Sequence, residues 1–346
     1  MAVRLGAVGL GGLGSIELGI YAEMDDVEVV AGADVSEGAR EAFADAYGAP
    51  AYESHDEMLA RHDLDAVSIV TPHTLHYEQA MACFEAGADV FLEKPMVTGV
   101  ENAVDLVETA REQGRVLQVG YQRHFDPLFQ ELKRVVTSGR IGQIHAASAY
   151  LGQDWIEIQR GTWRTDPDLS GGGQLYDSGS HLLDALLWSL DATPGTVAAV
   201  TDDRGEAVDV NSALALTLDR EEGPVTASVG VVGDGTNGDP DEGMVIWGTD
   251  GHVRYEDGRL TVFEDGVTYE GDVSGDRDFT TLTRRKLSDF VRSVEDRTDP
   301  AVPGSFGLRV TALTESAYEA AETGRSVDVQ ARIEQARAER NPVQAE

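Results

Sequence analysis

The 346-residue chain holds only three lysines, and one of them, Lys94, stands in Glu93-Lys94-Pro95 directly after the apolar run Val90–Leu92. A strand ending there puts the ammonium at the C-terminal edge of a parallel sheet, where such sheets bind ligands. An ammonium next to a cationic ring loses proton affinity and can hydrogen-bond a reacting hydroxyl. A solvated surface lysine is the alternative. A second centre is Gly171-Gly172-Gly173-Gln174-Leu175-Tyr176-Asp177-Ser178-Gly179-Ser180-His181. On a helix, Asp177 and His181 stand at i and i+4 and share a face. The carboxylate can then orient the imidazole and favour its protonated form, and the ring has the right affinity to take a hydroxyl proton near neutrality. The alternative is a surface ion pair. The three glycines favour chemistry, because bare backbone lets a ligand approach closely.

A third segment could hold the partner of that chemistry. Val8-Gly9-Leu10-Gly11-Gly12-Leu13-Gly14 contains G-x-G-x-x-G at Gly9, Gly11 and Gly14, between a strand pattern and a helix pattern, with Asp34 at the end of the next strand. That context and spacing form the dinucleotide fingerprint. Gly9 makes the tight turn, Gly11 lets backbone reach a pyrophosphate, and Gly14 allows close helix–strand packing. Gly12 and Leu13 open the helix, whose N-terminal amides attract phosphate. Asp34 can accept an adenosine ribose 2′-hydroxyl and would repel a 2′-phosphate. Val35 and Ser36 offer no cation and Arg40 falls a turn along the helix, so NAD is expected over NADP. Thr71-Pro72-His73 ends another strand and is a further cofactor contact. His73 and His76 lack a third ligand with suitable spacing, so no metal is expected, and His76 reads as a polar contact at a helix start.

The elements that must position these residues alternate β and α through the first 120 residues or so. Apolar strand patterns cover Ala2–Val8, Val27–Ala33, Ala66–Thr71, Asp89–Leu92 and Val116–Gly120, with helical patterns between them. Apolar strands alternating with helices predict a doubly wound parallel sheet of the Rossmann type. Beyond residue 121 the pattern changes. Asp126-Pro127 is a cap and first turn for a helix to about Ser138. Period-2 segments follow, such as Ser212–Leu218 and Val225–Val231, separated by turns such as Thr249-Asp250-Gly251. Helical patterns at Tyr176–Leu190, Leu282–Glu295 and Leu308–Glu322 interrupt them. The predicted fold class is α/β. It combines a dinucleotide-binding domain over 1–121, an α+β domain with a large, mostly antiparallel sheet over 122–330, and a polar tail over 331–346. The acidic, glycine-rich Gly233–Gly243 segment reads as a mobile loop.

Composition sets limits. Sixty-two acidic residues against 27 Lys plus Arg give a net charge of −35, spread along the chain. Such a surface repels phosphate backbones and anionic membranes, which excludes nucleic-acid binding. Scarce lysine with excess acid also suits molar salt, where self-repulsion is screened within a few ångströms. The single cysteine, Cys83, allows no intrachain disulfide. No run of 18 apolar residues is present, and Met1–Ile20 reads as a strand and glycine turn instead of a leader, so a cytoplasmic protein is expected.

The chain resembles the Gfo/Idh/MocA family of nicotinamide-dependent oxidoreductases, which includes glucose–fructose oxidoreductase and inositol dehydrogenase. The resemblance rests on Gly9–Gly14 with Asp34, Glu93-Lys94-Pro95, Gly120-Tyr121-Gln122-Arg123, Trp163-Arg164, and Gly171–His181 with Asp184, in family order over residues 3 to 330. It implies that Glu93 and Lys94 lie by the nicotinamide ribose, that the bond before Pro95 is cis, and that Gln122 belongs to the cofactor site. By resemblance His181 is the general acid/base, Asp177 orients it, and Lys94 holds the substrate hydroxyl. Arg123, Trp163 and Arg164 match segments lining the substrate cleft, and His124 stands where many relatives carry a second basic residue. The resemblance further implies a sugar or cyclitol substrate and a homodimer or homotetramer. Two other activities occur among relatives: redox-neutral glycoside cleavage with tightly held NAD, and NAD(P) or ligand sensing without catalysis.

Overall fold

The computed structural model describes residues 2–236, 241–256, 258–271 and 273–341. Met1, residues 237–240 of the Gly233–Gly243 segment and residues 342–346 of the polar tail lie outside them. The chain forms two compact units. The first comprises Met1–Val97, Asn102–Gln122 and Asp278–Leu308, and the second comprises Thr98–Glu101, Arg123–Arg277 and Arg309–Glu346.

The first unit holds a six-stranded parallel sheet. Its strands are β1 (Val3–Val8), β2 (Val27–Ala33), β3 (Ala51–Tyr52), β4 (Ala66–Ile69), β5 (Asp89–Leu92) and β6 (Leu117–Val119), in the order β3-β2-β1-β4-β5-β6. The crossover helices are α1 (Leu13–Tyr21), α2 (Glu37–Tyr47), α3 (His55–Arg61), α4 (His76–Glu85) and α5 (Val100–Gln113). β4 and β5 are buried throughout, as strands covered on both faces must be. Ser36 and Ser54 cap α2 and α3 by accepting from Ala39 and Glu57 amides.

The sequence reading places Leu282–Glu295 in the second domain. The structure packs α10 (Phe279–Asp296) onto the first unit instead, where Leu287, Phe290, Val291 and Val294 share a core with Val3, Leu5, Ile20, Tyr21 and Phe91. The helix's apolar stripe demands a buried partner, and the outer surface of α1 with β1 supplies it.

The second unit carries α6 (Pro127–Thr137), β7 (Ile144–Gly152), α7 (Trp155–Gln159), α8 (Pro167–Ser170), α9 (Ser180–Leu190), β8 (Thr193–Asp202), β9 (Asn211–Asp219) and β10 (Val225–Val232). It continues with β11 (Asp241–Gly248), β12 (Gly251–Glu256), β13 (Arg259–Glu264) and β14 (Val267–Gly271). After α11 (Gly304–Thr323) come β15 (Val327–Asp328) and α12 (Val329–Arg340), so the polar segment after residue 330 is helical as far as Arg340. Nine strands pair in the order β14-β13-β12-β11-β7-β10-β9-β8-β15, all antiparallel except β7 with β10. β9 alternates buried and exposed residues along its length, which gives the sheet one covered and one open face. Asp126 caps α6 by accepting the Leu128 amide at 2.8 Å, as its sequence foretells.

Candidate active site

The first unit brings its predicted ligand residues to one edge of the sheet. Gly9 has φ +89°, and a Cβ there would stand 2.2 Å from the Val70 carbonyl oxygen. A Cβ on Gly14 would stand 2.0 Å from the Gly9 oxygen. Both positions therefore require glycine to make the turn itself. Gly11 differs, because a Cβ there would meet no protein atom within 4 Å. The protein's own packing does not demand glycine at Gly11, whereas a phosphate lying against the turn would. This cradle fits a dinucleotide. Asp34 closes its far side, with Oδ2 accepting the Leu10 amide and Oδ1 the Ser36 amide, each at 2.8 Å. Arg40 reaches back further than the sequence suggests, donating to the carbonyls of Asp34 at 2.8 Å and Val35 at 3.0 Å.

Thr71 follows β4 and donates its hydroxyl to Gln79 at 2.6 Å. His73 and His76 are both buried. His76 faces the Thr71 carbonyl at 2.9 Å through Nε2 and the Pro95 carbonyl at 3.0 Å through Nδ1. Both ring nitrogens thus face backbone carbonyls, and whichever carries the proton donates, so His76 sits between the Thr71 and Pro95 segments. Burial lowers its proton affinity despite those carbonyls. Among the described residues no group of three or more His, Cys, Asp or Glu is placed to hold a metal.

Glu93 and Lys94 follow β5, and the Lys94–Pro95 bond is cis. Glu93 is buried, accepting the Lys94 amide at 3.1 Å on Oε2 and a hydrogen bond from Lys286 on Oε1. Gly120 makes room for it, since a Cβ there would stand 2.4 Å from Glu93 Oε1. Lys94 is half-buried, and so is Gln122 at the end of this unit. None of the three lysines is exposed: Lys286 lies in the core and Lys133 donates to the Trp188 carbonyl at 3.0 Å.

In the second unit, Asp177 sits in a π-helical turn, Leu175–Gly179, and His181 in the first turn of α9. The regular α-helix expected there begins only at Ser180. Asp177 is buried; its Oδ2 accepts the Trp155 indole N–H at 2.8 Å and lies 3.2 Å from Arg164 Nε. Trp155, fully buried, is a contact of Asp177 that the sequence reading did not single out. Trp155→Phe keeps an aromatic ring, smaller than the indole, and removes the donor, leaving that oxygen to Arg164. Kinetics of this variant are expected to show kcat about tenfold lower with KM little changed, as a lost charge-assisted hydrogen bond implies.

The glycines before Asp177 serve packing more than ligand approach. A Cβ on Gly173 would stand 1.9 Å from the Asp209 oxygen. Asp209 accepts the amides of Gly173 at 2.7 Å and Leu175 at 2.9 Å, and the Tyr318 hydroxyl at 2.5 Å. Arg123 ion-pairs with Glu242 and stacks over Phe129. Arg164 lies 4.4 Å over the half-buried Trp163 ring. His124 is buried and turned onto Asp184 at 3.0 Å, with its ring stacked on Trp188, so both are internal supports.

Among the described residues no helix is long and apolar enough to cross a membrane. The family described as "Oxidoreductase family, NAD-binding Rossmann fold" matches residues 3–121, and the GFO/IDH/MocA C-terminal domain matches residues 129–254. The NADP(+) D-xylose 1-dehydrogenase of Haloarcula marismortui is 29% identical over 80% of this chain and 78% of its own. Inositol 2-dehydrogenase of Rhizobium meliloti is 27% identical over 95% of this chain and 100% of its own. A levoglucosan dehydrogenase solved with NADH and L-sorbose shares the fold, with TM-score 0.85 at 19% identity over 95% of this chain and 99% of that one. With the glycine turn, Asp34, Glu93-Lys94-Pro95 and the Asp177–His181 segment all in place, the chain belongs to the GFO/IDH/MocA oxidoreductase family.

Proposed function

We propose that the protein is an NAD-dependent dehydrogenase acting on a secondary alcohol of a sugar or cyclitol. The observation that carries the reading is the sheet edge of the first unit, where a turn with an open Gly11, Asp34 and Lys94 follow β1, β2 and β5. The names of its relatives, xylose and inositol dehydrogenases, support the substrate class. The bound nicotinamide would supply the hydride acceptor.

The chain's own residues do the rest. The turn amides at Gly9–Leu13 hold pyrophosphate, and Asp34 accepts a ribose hydroxyl. Thr71, Pro72, His73, Glu93 and Gln122 border the cofactor. Lys94 hydrogen-bonds the reacting hydroxyl, and His181 takes its proton as the C–H electron pair leaves and the carbonyl forms. Asp177, held by Trp155 and Arg164, orients the ring and stabilises its cationic form. Trp163, Arg164 and Arg123 shape the substrate site. A homodimer or homotetramer fits the open face of the nine-stranded sheet, where Tyr150, Val200, Val232 and Trp247 are exposed.

NAD and NADP assayed side by side against aldoses, inositols and sugar acids test this reading. NAD is expected to give the higher kcat/KM by about tenfold, since a carboxylate at the ribose opposes a 2′-phosphate. Asp34→Ser is expected to narrow that gap about tenfold, because Arg40 then stands next to an uncharged site. Faster turnover of NADP by the unaltered protein would contradict the assignment.

A further inference from the structure

Three ionisable side chains meet in the interior of the first unit. Glu17 on α1, Glu93 after β5 and Lys286 on α10 expose only 1%, 5% and 2% of their surface. Lys286 Nζ lies 2.8 Å from Glu17 Oε1 and also hydrogen-bonds Glu93. The ammonium stands 5.3 Å from the Phe91 ring centroid, and the Lys286 carbonyl accepts from Gln118 at 2.8 Å. The cluster therefore ties the helix after the glycine turn to the Glu93-Lys94-Pro95 segment.

One cation between two carboxylates leaves a net charge of −1 if both are ionised. A buried net charge is strongly disfavoured, and a proton retained on one carboxyl removes it. The geometry shows which one. Glu93 receives both Lys286 and the Lys94 amide, whereas Glu17 Oε2 has no hydrogen-bond partner. The proton belongs on Glu17. In a sheet of this strand order a dinucleotide lies across the C-terminal edge with its adenosine at the end of β2, where Asp34 stands. The nicotinamide end then lies over β4 and β5, next to Glu93.

We propose that Glu17 and Lys286 are positioning residues that hold Glu93 as an anion against the Lys94 amide, and that ionisation of Glu17 sets the preference between oxidised and reduced cofactor. The inference rests on the dinucleotide reading above. Burial is the largest influence on Glu17 and pushes its carboxyl up to about 8 against the pull of Lys286, with Glu93 adding to the rise. Burial also acts to raise Glu93, but Lys286 and then Lys94 outweigh it and leave the carboxyl below its ordinary value. Two titratable neighbours hold their state across this range. Tyr21 on α1 stays protonated because burial and Glu17 raise its phenol. Burial keeps His76 on α4 neutral. The pairs Arg284–Glu23 and Arg4–Glu28, on α10, the turn after α1, β1 and β2, are solvent-exposed.

The cluster is thus neutral while Glu17 keeps its proton and carries −1 once burial no longer holds it there as pH rises. That charge favours the cationic NAD+ ring over neutral NADH. Fluorescence titration of NADH, alone and in competition with NAD+, gives Kd(NADH)/Kd(NAD+). Contacts common to both nucleotides cancel in this ratio, so general loosening of the site does not move it. In the unaltered protein the ratio is expected to rise about fivefold between about pH 6.5 and about pH 9.5. Glu17→Gln keeps the cluster neutral, and its ratio is expected to stay flat at the low-pH value. A flat ratio in the unaltered protein overturns the proposal whether or not the variant folds. An equal rise in Glu17→Gln overturns it too, by assigning the titration to another group. Failure of either nucleotide to bind at any pH contradicts the dinucleotide reading itself.

Discussion

His181→Ala is expected to lower kcat by about 10²- to 10⁴-fold while NADH binding is retained, the range for loss of a positioned acid/base. The side chain is half-buried in the first turn of α9, so truncation leaves the buried stripe of that helix intact. Lys94→Ala is expected to cost at least about 100-fold for a related reason. The lysine's backbone amide is held by the Glu93 carboxylate, so the change removes the ammonium and keeps that backbone contact. Steady-state kinetics with parallel NADH titration separate the two effects. Unchanged turnover in both variants would reject the assigned roles.

The largest stability effect is expected at Lys286. Lys286→Met leaves Glu17 and Glu93 buried without their cation, and breaking such a pair costs about 3–5 kcal/mol. The loss should depend on pH. In the variant both carboxyls are held above their unfolded values by burial, so the folded state keeps protons that the unfolded chain releases. The stability contribution is then fully present below the unfolded carboxyl range and is lost as pH rises. Denaturant titrations should show a small deficit near about pH 4.5 that widens toward about pH 8. A deficit independent of pH would mean that the ammonium matters only for packing.

Much of this site is legible in the sequence because its parts are local. Gly9, Gly11 and Gly14 serve a turn made within one strand–helix junction, and Lys94 is marked by the three apolar residues Val90–Leu92 of β5 shortly before it. The period-2 pattern of β9 gives its buried face, but period alone names no partner, so the parallel β7–β10 pair is invisible. The same limit hides α10. Its stripe Leu282, Leu287 and Phe290 announces a buried face without saying which core receives it. Lys286 lies on that stripe, four residues from both Leu282 and Phe290, and Glu17 lies four residues from both Leu13 and Tyr21. A charge on an apolar stripe was the available signal for the cluster. Trp155 and Asp209 carry none, since their partners Asp177 and Gly173 are 22 and 36 residues away. The π turn at Asp177 follows from packing that no i, i+4 pattern encodes.

The most direct measurement is the stoichiometry of NADH absorbance against substrate consumed, for a sugar or cyclitol that turns over. Molar KCl belongs in the assay, since about 1 M salt screens exposed charges within ~3 Å. One NADH per alcohol oxidised, lost together in Lys94→Ala and His181→Ala, is the result this account predicts. Substrate consumed without net NADH would point to a redox-neutral reaction, and NADH binding without any turnover to a sensor. Either result would contradict the assignment as a dehydrogenase.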